Sequence, residues 1–456
     1  MSSKIISSFN TVEFGGETVR VADLNSDGAY ELLIVQSDQC TREVTCLTAV
    51  DIYGNRIWQT GTPSSTNSGI YSDISVQVYD WDGDGANEVL WIEQAIYAES
   101  IVWDYSTNTH ITVPTSRRGE LRGHKGYAQE GAKRYEEDAI MHVLDGATGQ
   151  EKYSFSLPAP ADDCFLFANL TGGLRRQDLI VKDRYWNMWG IAHNGDILWK
   201  YEGTTGHFPE IADVDNDGMD EIYLGYTLLD HDGKLLWEMD GPKSHQDSSY
   251  VVQSNGETRL VFSHGEGENY NGGVHALTPS RKEIWSREFG HAQFVFPGRF
   301  RPDAGDMQFA VVDIGWPTAA KRQKCNITIL DWDGNELYRK DYPDGTGLSA
   351  RAVDWSGPGQ PTALAVWVVS DYEHGTLKAD NGPAVLLDGY GNELESLPLI
   401  RPDGTQSVHM NLIPADIYGD SREEIIIVGR DSICTYTNTQ LNLQTKLYNM
   451  SVYRGL

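Results

Sequence analysis

The stretch DVDNDGMDEI, residues 213–222, sets the carboxylates of Asp213, Asp215, Asp217 and Glu221 within nine positions of one short loop. Like charges this close repel unless a cation sits among them. Acidic residues at alternating positions project oxygens into one loop, Gly218 permits the sharp turn, and Glu221 closes the shell. That is the hard-oxygen ligand set calcium takes. The pattern D-x-[DN]-x-D-G-x-x-E returns as DLNSDGAYEL, with Asp23, Asn25, Asp27 and Glu31, and as DWDGDGANEV, with Asp80, Asp82, Asp84 and Glu88. DIYGDSREEI (416–425) is a decayed copy. An EF-hand is excluded, because the closing acid comes three residues early and strands flank the loop. An acid catalytic cluster is disfavoured, since chemistry needs one site and these recur. The expected role is structural calcium; the bland alternative is a set of solvated acidic turns.

A second set of residues is basic. TSRRGELRGHKGYAQEGAKRYEED (115–138) carries Arg117, Arg118, Arg122, Lys125, Lys133 and Arg134, with His124, Tyr127 and Tyr135 interleaved. Arg184 and Tyr185 follow in KDRYWN, then Lys321 and Arg322, while His207, His245, His291 and His409 each precede an apolar run. These types suit β-elimination on a uronate. Arginine or lysine neutralises the carboxylate so that the C5 proton becomes acidic, and a histidine or tyrosine removes it. A hydrolase would instead need two opposed carboxylates; Asp247, Glu266 and Glu268 are present but show no legible pairing. Each feature has an ordinary reading: a solvated loop for the insert, interblade hydrogen bonds for the histidines, packing for Arg184 and Tyr185.

The elements that must position these groups are strands. Short alternating apolar stretches such as RVADL and EIYLGY are punctuated by Gly, Asn and Asp turns, and no amphipathic helix is evident. A second phrase, a turn leading into an aromatic strand, appears as DIYGNRIW, HNGDILW, HDGKLLW and DWDGNELY. Four strands in a repeat of roughly 40–50 residues predict a propeller blade. The fold expected is all-β: a single β-propeller domain over 1–456, with four-stranded antiparallel blades starting near 20, 76, 165, 207, 245, 291, 347 and 409. Eight blades are expected, with seven and a terminal fragment as the alternative. The acidic phrase marks turn A–B and the aromatic phrase turn C–D. Either SVYRG or an N-terminal strand completes the last blade. A long B–C insertion in blade two covers about 95–140. The A–B and C–D turns share the bottom face. B–C loops and blade entries share the top, where His110, His124, His207, His245, His264, His291, His374 and His409 collect, eight of the twelve histidines.

Composition bounds the partners. A formal charge of −30 opposes nucleic acid and anionic membranes, and no apolar run is long enough to span a bilayer. Five cysteines cannot all pair; a short Cys40–Cys46 bridge is the one pairing considered, with Cys164, Cys325 and Cys434 as buried thiols. MSSKIISSFN lacks the regions of a signal peptide. An extracellular, trimmed mature form is expected, or a cytoplasmic protein if Met1 is the native start. A monomer is expected.

The acidic loops resemble FG-GAP or VCBS-type calcium-binding propeller repeats. With GHFPEIADVDNDGMDEIYLGYTLLDHDGKLLW (206–237) as the clearest stretch, the order of phrases is similar to that of family 11 rhamnogalacturonan lyases; ulvan lyases share the architecture. The resemblance implies an eight-bladed polysaccharide lyase with Ca2+ that cleaves a rhamnogalacturonan-like acidic polysaccharide or oligosaccharide and leaves an unsaturated uronate. On this reading the substrate-binding candidates are Arg117, Arg118, Arg122, Lys125, Arg134, Arg184, Tyr185 and Arg322. The proton-transfer candidates are His124, Tyr135, His207, His245 and His291. A glycoside hydrolase and a non-catalytic calcium propeller that binds glycans or proteins are the alternatives.

Overall fold

The structure is a computed structural model. It describes the chain apart from residues 1–2, 17, 38–43, 64–74, 94–96, 105–108, 115–126, 136–138, 160, 162–163, 184–185, 241–245, 266–271, 315–316, 319–320, 323–324, 343–345, 371–381, 430 and 440–456. Eight four-stranded antiparallel sheets form an eight-bladed β-propeller. Among the described residues the only helix is a single 3-10 turn, Pro302–Ala304. No helix among them is long and apolar enough to cross a membrane.

Strand A opens the successive blades at Thr18–Ala22, Val76–Tyr79, Phe165–Ala168, Glu210–Ala212, Gln246–Ser254, Ala292–Gly298, Thr346–Val353 and His409–Ala415. These starts match the repeat read from sequence. Blade eight is completed from the amino terminus: Ser3–Asn10 pairs antiparallel with Ser432–Asn438, the strand containing ICTYTN. The insertion in blade two is a sheet of its own, Tyr97–Asp104 flanked by Thr109–Pro114 and Tyr127–Tyr135, between strands B and C. A two-stranded hairpin, Pro317–Thr318 with Lys321–Arg322, stands at the same point of blade six.

Exposure is concentrated at the outer edge of the blade. Strand D of blade one, Arg56–Gly61, has most residues exposed and Trp58 buried. Strand B of the same blade, Glu31–Ser37, is buried at every position. A strand sandwiched between neighbouring blades has no wet face, so both of its sides turn apolar. The packing falls into two units, one holding blades one to four and the other blades five to eight. Within each, the core is made between blades. Trp81, Leu90 and Val143 of blade two pack with Phe165, Phe167 and Val181 of blade three. In the second unit, Trp355, Ala365 and Leu386 of blade seven join Leu412, Ile425 and Ile427 of blade eight.

The aromatic phrase explains part of the joint. Trp58 donates its indole N–H to the Gly146 carbonyl at 2.7 Å, and Trp199 donates to His231 at 2.8 Å. Trp285 does the same toward Trp332 at 2.9 Å. Each tryptophan ends a C–D hairpin and reaches the C–D turn of the next blade. Cys46, Cys164, Cys325 and Cys434 are buried free thiols. This corrects the Cys40–Cys46 bridge: Cys46 sits in a buried strand, where Gln59 donates to its sulfur at 3.6 Å, and Cys40 is outside the described residues.

Candidate functional site

The acidic loops share one construction. The closing glutamate is the first residue of strand B, and its Oε2 accepts the backbone N–H of the second loop residue. The bonds are Leu24 to Glu31 at 2.7 Å, Trp81 to Glu88 at 2.8 Å, Val214 to Glu221 at 2.6 Å and, in the decayed copy, Ile417 to Glu424 at 3.0 Å. The first aspartate accepts N–H groups from the far side: Asp27 and Gly28 on Asp23, Asp217 and Gly218 on Asp213. Gly28, Gly85 and Gly218 hold φ of 88°, 94° and 91°, a left-handed conformation that glycine takes without a side-chain penalty. These bonds leave carboxylate oxygens facing the loop centre. In blade four, Asp213, Asp215 and Glu221 bring one ligand oxygen each within 4.8 Å of one another, as do Asp217, Glu221 and the His231 ring. Asp80, Asp82 and Glu88 of blade two do likewise. Burial, reinforced by neighbouring aspartates, pushes Glu31 and Glu221 up to about 7.

A position the sequence reading left aside ties these loops together. The eighth residue of the phrase bonds to the A–B loop of the preceding blade: Asn87 donates to the Asp23 carbonyl at 2.8 Å, and Asp220 accepts the Asn169 N–H at 2.7 Å. Glu423 accepts the Asp354 N–H at 2.7 Å.

The remaining candidates are divided. His124, His245, Arg117, Arg118, Arg122, Lys125, Arg184 and Tyr185 are outside the described residues, and at Tyr135, Arg134 and Arg322 the backbone alone is described. The structure therefore assembles no site from them. His207 is half-buried ahead of strand A of blade four, its ring stacked on Phe208 with centroids 5.8 Å apart. His291 is buried. Its backbone N–H is held by Asp313 at 2.8 Å and its ring approaches Asp247 at 3.6 Å. Gly265 packs so closely that an added Cβ would come 2.6 Å from the ring.

Blade five brings together groups that sequence reasoning did not pair. His264 and His275 face each other through their Nε2 atoms at 3.2 Å, and His275 Nδ1 meets Glu283 at 2.9 Å. His264 Nδ1 donates to the Gly265 carbonyl at 2.8 Å. His264 was legible as a top-face histidine. His275 and Glu283 stand on strands C and D, where pairing depends on register rather than on any local motif. Arg351 in strand A of blade seven is also unforeseen. Its guanidinium faces the rings of Phe294 at 5.9 Å and Trp367 at 5.4 Å, and burial lowers it to about 9.

Comparison with known proteins agrees with this architecture. Residues 180–294 match the family model described as rhamnogalacturonan lyase family 11, C-terminal domain. No curated protein matches the chain. Among solved structures, the rhamnogalacturonan lyase YesW is similar with a TM-score of 0.56 at 18% identity, covering 99% of this chain and 74% of that one. The rhamnogalacturonan lyase PL11 of Bacillus licheniformis gives the same values. BamB from Moraxella catarrhalis aligns with a TM-score of 0.50 at 11% identity, over 97% of this chain and 100% of that one, so the solved structures speak for the fold alone. The chain is an eight-bladed β-propeller, and its blades three to five carry the segment that matches the family 11 rhamnogalacturonan lyase model.

Proposed function

We propose that the protein is a polysaccharide lyase that cleaves a rhamnogalacturonan-like acidic polysaccharide by β-elimination. The observation that supports this reading is the family match over residues 180–294. In such a reaction a cation pairs with the uronate carboxylate, a base takes the C5 proton, and the C4–O bond breaks as the C4–C5 double bond forms. A second group protonates the leaving oxygen. The basic insertion supplies Arg118 and Arg122, and blade three supplies Arg184, as the neutralising groups. His207 and the His264–His275 pair are the proton-transfer candidates among the described residues; Glu283 orients His275. His124, His245 and Tyr135 remain candidates.

Calcium is the proposed cofactor of the bottom rim, held by aspartate and glutamate oxygens of the A–B loops. Its role there is to neutralise the loop carboxylates and brace the blades.

The test is incubation with rhamnogalacturonan and a panel of other uronate polymers, following ultraviolet absorbance of the unsaturated product together with new reducing ends. Absorbance rising with reducing ends on rhamnogalacturonan is the expected result. Reducing ends without absorbance would convert the reading to a hydrolase. Binding with neither would leave a glycan-binding propeller.

A further inference from the structure

The acidic loops look alike in sequence but differ in what faces the inner oxygen of the closing glutamate. In blade two, the Lys152 ammonium stands inside the carboxylate set, 2.9 Å from Glu88 Oε1, 2.6 Å from Asp82 Oδ2 and 3.9 Å from Asp84 Oδ2. Arg175 from blade three takes Asp80 at 3.0 Å. In blade eight, the Thr437 hydroxyl donates to Glu424 Oε1 at 2.7 Å, and Arg422 pairs with Asp420. In blade one, the Asn25 amide donates to Glu31 Oε1 at 3.1 Å.

Blade four is different. Glu221 is buried to 1% exposure and its Oε1 has no hydrogen-bond partner among the described residues. Among the described residues no lysine or arginine pairs with Asp213, Asp215, Asp217 or Glu221. His231 stands beside the loop, its Nδ1 3.9 Å from Asp217. A buried carboxylate oxygen without a donor is costly, and a divalent cation bound by Asp213, Asp215, Asp217 and Glu221 removes that cost. The oxygen-rich set suits calcium. The difference is written at one position of strand D. Three residues after the turn glycine, blade one has Ile57, blade four has Leu236 and blade two has Lys152.

We propose that the blade-four loop holds the divalent cation of this rim, and that in blade two the Lys152 ammonium takes the place of that cation and makes the loop independent of metal. The inference rests on the calcium reading and refines it. One ammonium, with Arg175 on the outer aspartate, neutralises the oxygens that a metal would otherwise bridge. Calcium binding in blade two would have to expel Lys152 from both Asp82 and Glu88.

The experiment uses the full chain freed of metal by chelation, titrated with Ca2+ by calorimetry, with bound metal counted by elemental analysis and melting followed in parallel. Asp215→Asn with Asp217→Asn should remove one bound Ca2+ and its increment in melting temperature. Asp82→Asn should leave both Ca2+ stoichiometry and affinity unchanged. Lys152→Met should gain one Ca2+, melting lower than the parent in chelator and recovering on calcium addition. Loss of a Ca2+ from Asp82→Asn overturns the assignment, as does a folded Lys152→Met protein with parental stoichiometry. Should Lys152→Met fail to fold even with calcium, Asp82→Asn and the blade-four pair still decide between the two loops. A parent chain that takes up no Ca2+ overturns the calcium reading itself, while the lyase reading is judged separately by product absorbance.

Discussion

Replacing Gly233 by alanine tests the joint between blades three and four. Gly233 holds φ of +77°, and a Cβ added there would sit 2.5 Å from Cδ2 and 2.6 Å from Cγ of Trp199. Those are ring atoms of a side chain already anchored by its 2.8 Å bond to the His231 carbonyl. Gly256 is the reference: its φ is +80°, yet nothing lies within 4 Å of the added carbon. Both substitutions incur the left-handed penalty of about 1–2 kcal/mol. Gly233→Ala adds overpacking of about 1–3 kcal/mol and weakens an indole hydrogen bond contributing about 1 kcal/mol. Its loss should exceed that of Gly256→Ala by about 2–4 kcal/mol. Urea melts of both variants measure the difference, and a cycle with Trp199→Ala locates it. Once the ring is gone, Gly233→Ala should cost only the backbone penalty. Equal losses at the two glycines, or an excess that survives Trp199→Ala, would refute the joint. Gly149 beneath Trp58 and Gly334 beneath Trp285 repeat the arrangement, with added carbons at 2.5 and 2.6 Å, and should respond alike.

Two further outcomes follow from named groups. His264→Gln should lower lyase turnover by about 100-fold or more with little change in melting. His291→Ala, which empties a buried ring site against Gly265, should lower the melting temperature while turnover per folded molecule persists; assaying turnover and melting on both separates the roles. Burial pushes Glu423 and Glu424 from the ordinary 4.5 up to about 7. Because these acids bind protons more tightly when folded, their contribution is complete below about pH 4.5 and is lost as the pH rises through about 7. Glu423→Gln should flatten that decline by about 1–3 kcal/mol, read from denaturation at several pH values; an unchanged slope would place the titration elsewhere.

Blade boundaries, strand class and the two turn phrases were legible because each is local. An acidic loop satisfies its own N–H groups through side chains a few residues away, as Asp27 does for Ala29 at 2.8 Å, so the sequence pattern and the fold carry the same information. Partnerships across sheets were not legible. Ser3–Asn10 completes blade eight by pairing with Ser432–Asn438 at the other end of the chain, and the alternative closure by SVYRG was locally just as consistent. Lys152 and Glu88 are 64 residues apart, so only the C–D hairpin folded against strand B shows that one loop carries its own cation. His264, His275 and Glu283 meet on three adjacent strands by register alone. Sequence by itself therefore determined the repeat, the loops and the expected chemistry. Tertiary structure decided which carboxylates are already neutralised and which histidines touch, because a charge is compensated by whatever lies nearest in space, and strand pairing brings distant residues into that range.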